Sequence, residues 1–111
     1  MIRLPMSSAA AALLRAIVSR ANVDRNRILL SEATTTDWQS LTFCGERHSL
    51  TLRMAGADAH LIGERICDGL GEAEFDLPGA IVADIAAPAG LVRSADGAIE
   101  LTIEALTVAD D

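Results

Sequence analysis

Hydrophobic residues recur at helical spacing in two stretches of the chain, residues 8–21 and 57–70. In the first stretch, the apolar stripe follows a run of alanines that Ser7 or Ser8 can cap. In the second, Ala59, Ile62, Ile66 and Leu70 share one side of the helical wheel, and glycines follow. Each stretch therefore predicts an amphipathic helix.

Elsewhere apolar and polar residues alternate, which is typical of strands with one buried face. The pattern predicts five strands, over residues 27–33, 40–44, 49–54, 81–86 and 99–108. Turns are predicted at residues 34–37, at Gly45-Glu46 and at Ser94-Ala95-Asp96-Gly97. The apolar phase changes near Ala105 in the last strand, which predicts a β-bulge there.

The predicted order is α-β-β-β-α-β-β. Strands with one apolar face must cover that face, and two amphipathic helices are available to do so. The sequence therefore predicts an α+β fold in which an antiparallel sheet of four or five strands carries both helices on one face. A chain of 111 residues without an internal linker is predicted to form one domain, residues 1–111.

Composition makes the predicted core aliphatic, because half of the residues are hydrophobic but only one Trp and two Phe are present. No apolar run approaches the roughly 20 residues that a membrane span needs. Two cysteines, Cys44 and Cys67, do not form a disulfide framework, and they favour a reduced, cytoplasmic protein.

Charge is unevenly distributed around a net value of −7. Residues 1–30 hold five arginines and one acid, whereas the remainder is strongly acidic. An acidic body disfavours nucleic acid, since affinity for phosphate depends on neutralising cations. The basic N-terminal segment can contact an anionic partner, the chain's own acidic surface or a second copy.

Reactive side chains concentrate around the predicted Gly45-Glu46 turn. His48 can act as a general acid or base, Asp37 or Glu46 can orient it, and Arg47 can hold an anion. Cys44 is a candidate reactive thiol, and Trp38 can anchor a partner or cap the end of the core with its N–H satisfied. The predicted ligand-binding residues are Asp37, Trp38, Cys44, Arg47 and His48. The competing interpretation is an ordinary solvated turn.

Neither a metal nor a cofactor is predicted. His60, Glu64 and Cys67 share a helix face at ligand spacing, but no second histidine pair or C-x-x-C accompanies them. Acidic residues after this helix fit no calcium loop and indicate a solvated surface; they are Asp68, Glu72, Glu74, Asp76 and Asp84. Nucleotide-binding, nucleophile-elbow and zinc-protease motifs do not occur.

The pattern W-x-S-x-T-F-x-G-x-R-H, from Trp38 to His48, resembles a small proteobacterial protein family without an assigned function. Residues 73–79, 82–85 and 104–108 are similar to that family too. The resemblance implies a small bacterial protein with a sheet of four or five strands, and it implies no catalytic residue.

Charge asymmetry, amphipathic strands and sheet edges that need covering favour a non-enzymatic interaction domain that forms a dimer or binds another protein. If opposite charges drive the association, salt should weaken it. The alternative is a small-molecule binding protein or hydrolytic enzyme with its site at residues 45–48.

Overall fold

The computed structural model describes residues 6–110, and across this range it has two α-helices and a five-stranded antiparallel sheet. The elements are α1 (Ser8–Ser19), β1 (Ile28–Gln39), β2 (Cys44–Met54), α2 (Ala59–Cys67), β3 (Ala80–Ala86), β4 (Leu91–Arg93) and β5 (Ile99–Ala109). The predicted α+β class is confirmed. The observed order is α-β-β-α-β-β-β, which roughly matches the prediction.

Long antiparallel ladders join the strands in the order β1-β2-β5-β3, and β4 also pairs with β5. One face of the sheet, here called the inner face, carries fully buried side chains from the two central strands: Leu50, Leu52, Met54, Leu101 and Ile103. Leu13 and Ile17 of α1 and Ile62 and Ile66 of α2 belong to the same core cluster. The opposite, outer face carries polar positions such as Ser49, Thr51 and Thr102.

Helix boundaries follow capping chemistry. The Ser7 side chain accepts a hydrogen bond from the Ala10 amide at the start of α1. The predicted helix at 57–70 is shorter, because α2 ends at Cys67 and Gly69 then adopts a left-handed conformation at φ 66°. Helix α1 likewise ends at Ser19, two residues before the predicted end.

The first hairpin turns at a different place from the predicted one. β1 continues through the threonines at 34–36 to Gln39, and β2 begins at Cys44, so residues 40–43 form the turn. The predicted turns at 34–37 and at Gly45-Glu46 are therefore wrong. β-branched threonines favour a strand, and Gly45 serves close packing instead of a turn. A Cβ at Gly45 would lie only 1.9 Å from the Thr107 carbonyl oxygen.

The predicted bulge at Ala105 is also wrong, because β5 is continuous and alternates regularly from Ile99 to Val108. Thr107, not an apolar residue, takes the inward position, while Leu106 and Val108 lie half-buried on the outer face. Irregularities occur instead in β1, between Leu30 and Glu32, and in β3. The predicted turn at 94–97 joins β4 to β5, with Gly97 at φ 90°.

The two edges of the sheet differ in protection. β3 has seven residues and a register shift between Val82 and Asp84 that interrupts its ladder. β1 has twelve residues, and beyond its own shift it pairs regularly with β2 from Glu32 to Gln39. The side of β1 that faces away from β2, here called the free edge, pairs with no strand within residues 6–110.

Neither helix in the described range has the length and apolar character required to cross a bilayer.

Candidate functional site

Strand alternation separates the predicted site residues onto the two faces of the sheet. Side chains at successive positions of β2 point to opposite faces, so Glu46 and His48 lie on the inner face and Arg47 on the outer face. His48 is 3% exposed, while Arg47 is solvent-exposed. The structure therefore directs the side chains of Arg47 and His48 to opposite faces of the sheet, although the two residues are adjacent in sequence.

His48 lies in a polar cluster between the sheet and the start of α1, formed by Ser7, Thr35, Glu46, His48 and Thr107. Its Nε2 is 2.9 Å from the Thr107 hydroxyl, and its Nδ1 is 3.2 Å from the Thr35 hydroxyl. The Glu46 carboxylate is 3.9 Å from Nε2 and accepts a 2.8 Å hydrogen bond from the Ser7 hydroxyl. The cap of α1 is thus linked to the centre of the sheet.

Burial lowers the pKa of His48, and the nearby Glu46 carboxylate opposes this shift only in part. The imidazole is therefore neutral at pH 7. A neutral ring has one donor and one acceptor nitrogen, and a threonine hydroxyl can match either. Both nitrogens are occupied and the ring is shielded from solvent, so the cluster supports packing between β1, β2 and β5.

Trp38 packs on the outer face against Gly45, its register partner in β2. A Cβ at Gly45 would lie 2.9 Å from the indole Nε1, which shows how closely the two residues approach. The indole N–H, predicted to be satisfied at the rim of the core, is enclosed without a hydrogen-bond partner among residues 6–110. Trp38 therefore covers the outer face near the hairpin turn.

Asp37 and Cys44 lie near the end of the hairpin and are both exposed. In the register, Asp37 is opposite Glu46 and Cys44 is opposite Gln39, so neither faces His48 or Arg47. Of the five predicted ligand-binding residues, no two form a hydrogen bond or an ion pair with each other among the described residues.

Arg47 borders a pocket of about 320 Å³, whose other lining residues include His48, Ser49, Asp84, Glu104 and Leu106. The Arg47 guanidinium has no ion pair with another residue of the 6–110 range. The pocket combines one cation with two carboxylates, a pattern that could hold a small zwitterion.

The possible metal ligands on α2 do not form a cluster. His60 Nδ1 is 2.5 Å from the Glu64 carboxylate, and both side chains are more than half exposed. No group of three potential ligands occurs among residues 6–110. The acidic residues at 68, 72, 74, 76 and 84 are all exposed, as predicted for a solvated surface.

Two apolar features were missed by sequence reasoning. Residues 40–43, here called the hairpin tip, expose Leu41 fully and Phe43 by 58%. Between α1 and the start of β1 lies a groove of about 600 Å³, here called the α1–β1 groove, whose lining includes Leu14, Arg15, Val18, Val23, Arg25, Ile28, Leu29 and Leu30. The continuous run of β-branched residues at 34–36 was the signal that could have placed the turn correctly and shown that the tip is exposed.

Comparison of the chain with protein-family models, with curated proteins and with solved structures finds no match, so the resemblance to a proteobacterial family stays a hypothesis.

Proposed function

We propose that the protein is a non-enzymatic interaction domain that associates with a second copy of itself through the free edge of β1. The observation that carries this proposal is the unequal protection of the two sheet edges. An unpaired edge presents a row of backbone donors and acceptors, and proteins that remain monomeric usually shield such edges. Along Glu32–Gln39, β1 has no proline, glycine, lysine or arginine to provide that protection.

Symmetry restricts how two copies can pair. In an antiparallel pair related by a two-fold axis perpendicular to the sheet, facing residues must point to the same face. The axis therefore lies between the strands, midway between the two copies of one residue. The middle of the regular segment offers Thr35 or Thr36. Pairing there joins two five-stranded sheets into one and keeps both inner faces on the same side.

The proposal includes a location and a class of partner. Cys44 and Cys67 are not bonded to each other, which is consistent with a reducing bacterial cytoplasm. The acidic net charge disfavours nucleic acid as a partner. Another protein with an unpaired strand is the alternative to a second copy.

Charge placed on the free edge tests the proposal. With the axis at Thr35, Thr34 faces Thr36 of the second copy. With the axis at Thr36, Thr36 of one copy faces Thr36 of the other. The double variant Thr34→Lys/Thr36→Lys therefore places like charges opposite each other in either register and should give a monomer. Both threonines are exposed, so the fold should persist. Light scattering and native mass spectrometry measure the oligomeric state.

Charge reversal provides the matched control. The variant Thr34→Glu/Thr36→Glu should also be monomeric alone, but it should form a mixed dimer with the lysine variant. Ile81→Lys places a charge on the opposite edge, where Ile81 is 53% exposed, and should leave the dimer intact. A wild-type monomer at all concentrations, or lysine variants that still dimerise, would refute edge pairing.

A small-molecule site around Arg47 is the second candidate, and the observation that favours it is the unpaired guanidinium beside the 320 Å³ pocket. Hydrolysis is disfavoured because both nitrogens of His48 are occupied. If the pocket binds a small zwitterion such as a free amino acid, Arg47→Ala should abolish the thermal shift that the ligand produces. A screen that gives no shift with the wild-type protein would contradict this candidate.

A further inference from the structure

The hairpin tip exposes two large apolar side chains at a place where chains usually carry polar residues. Leu41 and Thr42 occupy the corners of a tight turn, which is closed by hydrogen bonds between Ser40 and Phe43. Leu41 is 106% exposed, and Phe43 beside it is 58% exposed. Hydrogen bonds within the turn explain its shape, but they do not explain why its side chains are hydrophobic.

The α1–β1 groove is a complementary feature at the other end of the same strand. Its aliphatic lining includes Leu14 and Val18 of α1, Val23 of the connection and Leu30 of β1, all of which remain partly exposed. Its volume of about 600 Å³ is ample for two large side chains. The groove opens where β1 begins, whereas the tip follows where β1 ends.

We propose that the hairpin tip of each copy fills the α1–β1 groove of the other copy. This inference rests on the proposed pairing of the two β1 edges and names the contact that would accompany it. With the two-fold axis at Thr35, Leu41 at the tip of one copy lies level with the first residues of β1 in the other copy, near Leu29. Phe43 lies across the turn from Ser40, on the side of β2, so the inference takes the register with the axis at Thr35. This register brings Leu41 to the mouth of the groove, about 20 Å from the axis at 3.4 Å per residue.

Charge permits this contact. The tip sequence Ser40-Leu41-Thr42-Phe43 is uncharged, so it brings no cation towards Arg15 and Arg25 at the groove. Neither arginine forms an ion pair within residues 6–110, so neither must release a partner when the tip enters. In each copy the hairpin tip and the α1–β1 groove lie at similar distances on either side of the axis. One two-fold interface would therefore cover both tips and both grooves.

Disulfide trapping tests the contact directly. In a Cys44→Ser/Cys67→Ser background, Leu41→Cys is combined with Val18→Cys or with Val23→Cys and oxidised with oxidised glutathione. Covalent dimers are expected from at least one pair. Within a single copy the tip and the groove are separated by most of the length of β1, roughly 35 Å, so a bond between them must join two copies. Leu41→Cys with Leu61→Cys is the control, because Leu61 is exposed on α2 and should not be trapped.

A second variant separates this inference from edge pairing. Leu41→Ser/Phe43→Ser should raise the dimer dissociation constant at least tenfold, whereas Thr42→Ser should leave it unchanged. If the serine variant dimerises normally and no disulfide forms, while lysine at 34 and 36 still gives monomers, the tip contact is refuted and edge pairing stands. A wild-type monomer would refute both. Wild-type binding to phosphatidylcholine vesicles that the serine variant loses, without trapped dimers, would assign the tip to a lipid surface and overturn the inference.

Discussion

The imidazole of His48 lies between two threonine hydroxyls on the inner face of β2, next to the aliphatic Leu50, Leu52 and Met54. A buried polar group without partners is costly, whereas one with both nitrogens matched is tolerated. Thr107 provides the match from β5, at the position where the apolar alternation of that strand breaks. The irregularity that predicted a bulge in the sequence is therefore a polar pair between two central strands.

His48 should make the fold sensitive to mild acid. Burial lowers its folded-state pKa, so below the usual imidazole pKa the unfolded chain takes up a proton that the folded protein does not. The free energy of unfolding should therefore fall as the pH drops from about 7.5 to about 5.5. Urea denaturation at each pH measures it, and His48→Gln should flatten the slope. His60→Gln removes the exposed imidazole as control; an equal flattening there would contradict the assignment.

Gly45 should tolerate no side chain. An alanine Cβ would meet the Thr107 carbonyl oxygen at 1.9 Å and the Trp38 indole at 2.9 Å, so β2 and β5 would have to separate. Gly45→Ala is expected to lower the free energy of unfolding by at least about 2 kcal/mol. Gly71→Ala, with no atom within 4 Å of the added Cβ, is the control and should change it by less than about 0.5 kcal/mol. Similar losses in both variants would argue against the close approach.

At the scale of elements, predictability followed the strength of the local pattern. The last strand and both helices were predictable because a buried stripe fixes their period. The first hairpin was not, because residues 34–39 are exposed or half-buried on both faces and give no alternation to read. Its turn also lacks the usual Asn-Gly or Asp-Gly signal, and Leu41 and Thr42 have no positive φ. The sequence placed the turn at Gly45-Glu46, so it did not show that Arg47 and His48 lie in a strand. The prediction therefore missed that their side chains point to opposite faces.

Arg20, at the end of α1, binds backbone carbonyls at the end of α2. Its Nε donates to the Ile66 carbonyl at 3.1 Å, and its Nη2 donates to the Asp68 carbonyl. A cation is favourable at the carbonyl end of α2, where backbone acceptors lack helical partners. Arg20→Met should lower the free energy of unfolding by about 1–2 kcal/mol.

Arg25→Met is the matched control for Arg20, because Arg25 is exposed and donates no side-chain hydrogen bond within residues 6–110. It should change the free energy of unfolding by less than about 0.5 kcal/mol. Chemical denaturation of both variants at one pH measures the difference. Equal effects would mean that the carbonyl contacts of Arg20 contribute nothing beyond the charge itself.

For the whole molecule, the structure leaves few arginines of the basic N-terminal segment available for a partner. Arg20 contacts the end of α2, and Arg27 pairs with Asp58 at 2.5 Å, so both already interact with the chain's own surface. Arg15 and Arg25 have no such contact among the described residues, and Arg3 lies outside them. Few cations therefore remain for attraction between copies, while each copy carries a net charge of −7.

Salt should strengthen self-association through the free edge of β1. Two acidic copies repel each other, and the regular segment of β1 contributes only the acids Glu32 and Asp37, so screening removes more repulsion than attraction. The dimer dissociation constant, measured by sedimentation, should fall as sodium chloride rises from about 0.05 M to about 0.5 M. The mixed dimer of the lysine and glutamate variants at 34 and 36 is the control, because its added ion pairs should make it weaken with salt. If the wild-type dimer weakens with salt as this control does, attraction between opposite charges holds it together. That result would favour the charge asymmetry of the sequence as the cause and contradict pairing of backbone edges.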